Sequence, residues 1–353
     1  MAVLAANGVV GFGPQTTKES VATTWYRHRA TQVDLGVNDD IRQGDPEVGG
    51  SPVPTFPYKA GPVVAGGFTL QPRLEDTLGW LLYGMMGKVT SAETSVGSGI
   101  YNHVFEMATD TAFVPWMSTR KAVARRDGLV ATDLGETYVD CKMVGGNLVL
   151  PNDSLINMRC DFLGRSFTLD HDPTLWTWEN AMESWESVPI ACATGGFIKF
   201  ETEELPVVAC QMSWQNRPLD LRAEKVYGDP FLEDITIVGR RLAIEMTVKW
   251  NNPDLYAKAL TGAVNGTAWT STPFTGALDV KSVSSVNIPG ETEPYSLRVE
   301  ADKIMLSPVG GIVLAAGGAV MLRFTGVALD SNGTYARFTL RNQATSYVWP
   351  VAS

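Results

Sequence analysis

Alternation of apolar and polar residues recurs in many short segments of this sequence, and it restricts the chain to β-rich folds. In residues 242–248, Leu, Ile, Met and Val alternate with Ala, Glu and Thr. Residues 156–164, 295–301 and 320–326 show the same period of two. Because successive side chains of a strand point to opposite faces, this period predicts half-buried antiparallel strands.

Other segments extend the β pattern with irregularities. Residues 138–144 and 147–150 are predicted to be two separate strands. Residues 68–74 also alternate, but Pro72 cannot donate to a ladder, which predicts an edge strand or a bulge there. The Asn332-Gly333 pair lies between two alternating runs and predicts a hairpin turn.

Two segments have helical spacing. Apolar residues in 78–86 recur three and four positions apart, between the candidate N-cap Asp76 and the stop signal Gly87. The second segment, 253–261, begins with proline after the candidate cap Asn252 and precedes a glycine. The sequence therefore predicts where each helix begins and where it ends.

The two halves of the sequence place the same elements in the same order. In each half an alternating strand precedes the helix, and a similar set of strands follows it, within 138–164 and within 295–326. These sets end in Asp-Phe-Leu-Gly at 161–164 and in Arg-Phe-Thr-Gly at 323–326. The agreement of order and spacing predicts an internal duplication, with one β unit used twice.

The duplication predicts two domains, 1–170 and 196–353. They are joined by a connector, 171–195, that is rich in Trp, Glu and Pro. Irregular stretches at 36–67 and 215–239 each precede a strand–helix unit. Loops this long inside a compact domain are usually functional, so we expect them to carry interactions, with disorder as the alternative.

Charge and hydropathy limit the classes of partner. The formal net charge of −10 is opposite to that of a protein that grips phosphates, so specific DNA binding is disfavoured. No basic segment precedes the apolar residues of 1–10, so no secretory signal is expected. The apolar stretch 307–322 is glycine-rich and too short for a membrane-spanning helix. We therefore expect a protein made and used in a cytoplasm-like setting.

The cysteines and histidines suggest no metal site. Cys141, Cys160, Cys192 and Cys210 form no CxxC pair, and the first two are expected to be small core residues. Asp170-His171-Asp172 is the one cluster with metal-binding chemistry. Adjacent strand residues point to opposite faces, so a solvated turn is the better interpretation of this cluster.

Enzyme motifs are also missing from the sequence. It contains no GxSxG elbow, no HExxH helix and no GxxxxGK[ST] phosphate loop. We expect a non-enzymatic protein and assign no catalytic, cofactor-binding or metal-binding residue. The basic cluster of Arg120, Lys121, Arg125 and Arg126 is interpreted as a solvated face or a subunit salt bridge rather than a nucleic-acid contact.

The ten tryptophans support a second class of function. A carbohydrate-binding β-sandwich stacks sugars on exposed aromatic rings, and Trp176, Trp178 and Trp185 are the candidates for that role. The alternative is that they anchor a core or an interface, as tryptophan often does.

Several motifs, taken in order, resemble one known family. They are Phe-Gly-Pro-Gln-Thr-Thr-Lys-Glu-Ser-Val-Ala-Thr at 12–23, Gly-Gly-Phe-Thr-Leu at 66–70, Leu-Gly-Trp-Leu-Leu-Tyr-Gly-Met-Met-Gly at 78–87, Tyr-Asn-His-Val-Phe at 101–105, Tyr-Val-Asp-Cys-Lys-Met at 138–143, Met-Arg-Cys-Asp-Phe-Leu-Gly at 158–164 and Phe-Thr-Leu-Arg-Asn at 338–342. Together they resemble the tail-tube proteins of long-tailed bacteriophages of the siphophage type. The likeness covers nearly the whole chain except 169–206.

The resemblance implies a structural protein of the virion tail. Such proteins are β-sandwich or barrel-like domains with a flanking helix, and sheets of neighbouring subunits join into a continuous inner β-barrel. Long loops reach the next ring, and a tape measure protein and a tail terminator are partners. Here strands 68–74 and 242–248 would belong to the inner barrel, with loops 36–67 and 215–239 in ring-to-ring contacts. A tail terminator or decoration protein is the alternative within phages.

The implied symmetry is sixfold or pseudo-sixfold. With two tube units per chain, three chains would complete a ring, although six remain possible. Three chains of formal charge −10 would give the ring about −30. A negative wall repels phosphates, so phage DNA would pass through the lumen without specific binding.

Overall fold

The computed structural model describes residues 8–45, 48–50, 53, 56–75, 77–107, 114–123, 133–179, 189–191, 195–250, 253–312, 318–331, 333 and 335–347. Within these ranges the protein is mainly β, as predicted. Eighteen strands are connected by antiparallel pairings, and two α-helices lie beside them. The helices are α1 (Leu78–Met86) and α2 (Asp254–Thr261).

The strands cover most of the described chain. In order they are β1 (Val9–Pro14), β2 (Tyr26–Arg27), β3 (Ala30–Val33), β4 (Gly36–Gln43), β5 (Pro57–Leu70), β6 (Gly87–Glu93), β7 (Tyr101–Met107), β8 (Met117–Val123), β9 (Leu134–Pro151), β10 (Asn157–Asp170), β11 (Gly196–Phe200), β12 (Glu203–Glu204), β13 (Val207–Pro218), β14 (Ile237–Lys249), β15 (Thr275–Asn287), β16 (Pro294–Pro308), β17 (Met321–Ala328) and β18 (Arg337–Asn342).

Two series of paired strands form the body of the fold. In the first, β5 pairs with β10, β10 with β9, β9 with β8, and β8 with β1. In the second, β14 pairs with β17, β17 with β16, β16 with β15, and β15 with β11. A hairpin partner flanks the first strand of each series, β4 beside β5 and β13 beside β14.

Among the described residues, two pairings link strands of the first half of the chain to strands of the second half. The second half of β9 pairs with β13, and β7 pairs with β18. Buried apolar side chains of both series pack into a single cluster that includes Phe68, Phe162, Met246 and Phe324. The joined sheets therefore share one hydrophobic core.

Both helices end as the sequence predicts. Gly87 and Gly262 adopt left-handed backbone conformations, with φ of 87° and 77°, which close the last turn at little steric cost. The cap position of α1 is Thr77. The predicted caps Asp76 and Asn252 lie outside the described residues. Helix α1 packs against β6, β7 and β9, and α2 packs against β16.

The thiols occupy the core, as predicted for the first two cysteines. Cys141, Cys160 and Cys210 are buried free thiols. Burial raises the pKa of Cys141 to about 12 and that of Cys210 to about 12, because the thiolate cannot be solvated there. Cys192 lies outside the described residues.

The prediction of irregular stretches is wrong for much of 36–67 and right for most of 215–239. Residues 36–67 contain β4 and most of β5, which form a long hairpin. Residues 215–239 contain the end of β13 and the start of β14. Glycine, proline and charged residues mask the alternation in the first of these hairpins, because most of its outer part is exposed on both faces.

Three smaller predictions are corrected. The strand predicted at 68–74 ends at Leu70, before Pro72, and it is paired on both sides rather than lying at an edge. The two strands predicted at 138–150 form the single strand β9, whose register shifts between Asp161 and Phe162 of its partner. The strands β17 and β18 pair with different parts of β16 and not with each other, so the predicted hairpin between them is not formed, while Asn332 lies outside the described residues.

Candidate assembly interface

Within the described part of the chain, the outer part of the β4–β5 hairpin has no second strand partner, although Lys225 donates to the Ala60 carbonyl on β5 at 2.7 Å. Among the described residues, β4 pairs only with β5, and Pro57–Val63 of β5 pair only with β4. Gln43 pairs with Pro57, and the Gly44 amide then donates to the Phe56 carbonyl at 3.0 Å. Unpaired edges of this kind are templates for addition of another strand.

Apolar side chains on this hairpin face solvent. Ile41 is 65% exposed, Phe56 50% and Tyr58 47%. Val48 and Val53, in the loop between the strands, are also exposed. Several exposed apolar side chains on one hairpin mark an interaction surface.

In the second hairpin, β13–β14, the loop begins with the same pattern of pairing and hydrogen bonding. Pro218 pairs with Ile237, and the Leu219 amide donates to the Thr236 carbonyl at 2.8 Å. Its loop, residues 219–236, folds back onto strands of the first series. Leu232 and Ile235 are fully buried in a small cluster with Val63, Leu163 and other apolar residues.

Two buried cations bind the backbone of loop 219–236. Arg165 donates from Nε to the Leu232 carbonyl, and Lys142 donates from Nζ to the Ile235 carbonyl at 2.9 Å. Burial lowers the pKa of Lys142, and nearby Asp234 acts in the opposite direction. The Lys142 ammonium also lies 4.0 Å from the ring centroid of Trp116.

Asp140 connects this contact to the start of the chain. Its carboxylate accepts from Arg165 Nη1 at 2.7 Å, from Gln15 Nε2 at 2.7 Å and from the Glu19 amide at 2.7 Å. Lys18 forms a further ion pair with Glu233 at 3.3 Å. The motif at 12–23 thus helps to hold loop 219–236. Sequence reasoning missed this network because its contacts join residues that are 25 to 215 positions apart and follow no local pattern.

The basic cluster is structural where it is described. The Arg120 guanidinium lies over the rings of Trp25, Trp176 and Trp178, at 4.1, 4.7 and 4.1 Å from their centroids. Burial lowers its pKa to about 9. The expectation of a solvated face is therefore wrong for Arg120. Lys121 donates to the Leu35 carbonyl at 2.5 Å. Arg125 and Arg126 lie outside the described residues.

Two of the candidate sugar-binding tryptophans are already engaged. Trp176 and Trp178 are half-buried and contact each other edge to face, with 6.3 Å between ring centroids. Trp176 donates from Nε1 to Asp170 Oδ2 at 2.6 Å. Both rings also contact Arg120, which favours an anchoring role. Trp185 lies outside the described residues.

The Asp170-His171-Asp172 cluster does not converge on one point. Asp170 accepts from Trp176 and from the Asp172 amide, while the His171 side chain is exposed. Within the ranges that the structure describes, no three His, Cys, Asp or Glu side chains form a group able to hold a metal ion.

Two buried histidines are held neutral. His28 Nδ1 lies 2.6 Å from the Thr77 hydroxyl, and His103 lies between Ser91 Oγ at 2.8 Å and Asn342 Oδ1 at 3.0 Å. Asn342 donates its amide to Leu74 O and Tyr347 Oη, so its oxygen accepts from His103 Nε2–H. Burial is the largest cause that lowers the pKa of His28 and of His103, each to about 4.

Acidification is expected to destabilise the chain between about pH 6.5 and pH 4. The unfolded histidines take up protons below about 6.5, whereas the folded ones resist protonation until about 4. The free energy of unfolding should therefore fall with pH in this window, by at most ~3 kcal/mol for each histidine. Urea unfolding at several pH values measures the slope, and His103→Gln should reduce it. A slope unchanged by both His28→Gln and His103→Gln would contradict this assignment.

Comparison with known proteins gives no family. None of the protein-family models matches the sequence, and no curated protein is similar to it. In the described part of the chain, neither helix has the length and apolar character needed to cross a membrane.

Proposed function

We propose that this chain is a non-enzymatic structural subunit of a bacteriophage tail tube. In this proposal it contains two related β units, three copies form a pseudo-sixfold ring, and stacked rings form the conduit for the genome. The protein would be assembled in the host cytoplasm and belong to the virion tail. The tape measure protein and the tail terminator would be its partners at the ends of the tube.

The repeated order of strand pairing is the observation that carries this proposal. The series β5–β10–β9–β8–β1 and β14–β17–β16–β15–β11 have the same order in space and the same order along the chain. The hairpin strands β4 and β13 occupy matching places, and α1 and α2 pack on the matching strands β9 and β16. The end of β10 at Asp170 and the start of β11 at Gly196 fit the predicted domain limits.

The matching extends to single residues. Gly164 pairs with Val64 on one side and Cys141 on the other, and Gly326 pairs with Ile244 and Leu306. A Cβ on Gly164 would lie 2.7 Å from Cys141 Sγ, and one on Gly326 would lie 2.8 Å from Ile304 Cγ2. Both glycines therefore stand where neighbouring side chains leave no room for a Cβ atom.

Open strand edges support assembly into a ring. The pairings of the described strands never return to their starting strand, so these strands alone do not close a barrel. The β4 edge and the outer part of β5 remain unpaired among them. A ring of subunits would pair such edges and remove the aggregation hazard that they pose.

Electron microscopy of the purified protein tests the proposal. We expect tubes of stacked rings, in which each ring shows six similar density units and contains three chains. Mass measurement of single rings would distinguish three chains from six. Monomers that do not assemble at any concentration, salt or pH, or monomers that bind glycans instead, would overturn the proposal.

A further inference from the structure

The second unit has a depression on one face of its sheet. In the first unit, loop 219–236 buries the equivalent face. The volume of the depression is about 220 Å³, and its lining includes Ala243, Glu245, Met305, Ser307, Thr325 and Val327. These residues come from β14, β16 and β17, the central strands of the second series. Within the described part of the chain, no loop covers this face as loop 219–236 covers the first unit.

Strand registers identify the counterparts in the first unit. Glu245, Thr325 and Ser307 form one row across β14, β17 and β16. In the first unit the corresponding row, one position from the glycine Gly164, is Ala65, Leu163 and Lys142. That second row is the surface on which loop 219–236 packs, with Lys142 donating to the Ile235 carbonyl.

The β4–β5 and β13–β14 hairpins also correspond residue by residue. The last pair of the first hairpin, Gln43 with Pro57, corresponds to the last pair of the second, Pro218 with Ile237. Beyond each pair the next amide donates to the opposite carbonyl, from Gly44 to Phe56 and from Leu219 to Thr236. The loop after β4 is therefore the counterpart of loop 219–236. Its described apolar side chains, Val48, Val53 and Phe56, are at least half exposed, although the Phe56 ring lies against Gly44.

We propose that the β4–β5 hairpin of one copy of this chain docks on the depression between β14, β16 and β17 of a neighbouring copy in the same ring. The proposal rests on the proposed function, because in a ring of two-unit chains the contact between the two units of one chain recurs between neighbouring chains. Inside the chain, the second hairpin covers the first unit. At the boundary between chains, the first hairpin would cover the neighbour's second unit. A head-to-tail contact of this kind closes into a ring.

Cysteine crosslinking between copies tests the contact. Phe56 is the counterpart of Thr236, next to Ile235, and Ser307 is the counterpart of Lys142, which binds Ile235. In assembled tubes, the double variant Phe56→Cys, Ser307→Cys should yield dimers and trimers when treated with a short bismaleimide, whose spacer replaces the length of the Lys142 side chain, with no larger products within a ring. The two single variants are the controls and should yield none. Tubes in which the double variant gives no crosslink between chains would overturn the docking site.

A charge placed in the depression gives a second, independent test. Ala243→Arg should abolish tube formation while the thermal unfolding midpoint stays at the wild-type value. Val63→Arg, the matched change on the face that the chain itself covers, should lower that midpoint. Wild-type tubes together with normal tubes from Ala243→Arg would overturn the docking site and leave the proposed function intact. A wild-type chain that never assembles would instead overturn the proposed function.

Discussion

Replacing Arg165 with Met is expected to lower the free energy of unfolding by ~3–5 kcal/mol. The Arg165 side chain is 6% exposed and the Asp140 side chain 1% exposed, with 2.7 Å between Nη1 and Oδ2. Removing the guanidinium leaves a buried carboxylate without its counter-charge, and it also leaves the Leu232 carbonyl without the Nε–H donor. Urea unfolding at pH 7 measures the loss.

A double-mutant cycle isolates the charge pair. Asp140→Asn should also destabilise the chain, and the double variant Arg165→Met, Asp140→Asn should lose less than the sum of the two single changes. Lys88→Met is the surface control, because the Lys88 side chain is 59% exposed in its pair with Glu106, and it should cost under ~1 kcal/mol. If Arg165→Met and Lys88→Met had the same free energy of unfolding, the buried Asp140 carboxylate would not depend on Arg165, and the prediction would be wrong.

Replacing residues 45–55 with a two-residue Asn-Gly turn is expected to abolish tube formation and leave the fold intact. The described part of this loop has exposed apolar side chains, among them Val48 and Val53, so its removal takes little buried surface from the chain. The replacement keeps Phe56 and Pro57, which bond to Gly44 and Gln43. Sedimentation and electron microscopy measure assembly, and urea unfolding should agree with the wild type within ~0.5 kcal/mol.

The chain provides a matched control for this loop. Replacing 222–233 in the second hairpin loop with the same turn removes the fully buried Leu232 and the carbonyl that Arg165 binds. That change should lower the free energy of unfolding by several kcal/mol, since it exposes the apolar cluster around Leu163. If the first replacement destabilised the chain as much as the second, the two loops would not have the separate roles assigned here.

The proposed role of the loops differs from the expectation drawn from the sequence. Both long stretches were expected in ring-to-ring contacts, but loop 219–236 packs on its own chain through Leu232, Ile235 and Glu233. Ring-to-ring contacts remain a prediction. The matched geometry of the hairpins favours contacts between neighbouring units of one ring.

The sequence alone determined the class of fold and many of its elements. Period-two alternation located β10, β14, β16 and β17, because half-buried strands need one apolar face. Helical spacing and the stop glycines Gly87 and Gly262 located both helices, since a helix end depends on local backbone geometry. Alternation did not locate the β4–β5 hairpin, because a strand exposed on both faces has no apolar side to repeat.

Only the tertiary structure decided which distant groups meet. No local pattern marks Asp140, Arg165 and Gln15 as partners, because their bonds depend on the register of β9 against β10 and on the path of the first residues. The burial of Leu232 and Ile235 in loop 219–236 and the exposure of the described apolar residues of its counterpart are also invisible in the sequence. Both follow from long-range packing, in which loop 219–236 packs on strands of the first unit while Val48 and Phe56 of the other hairpin stay exposed.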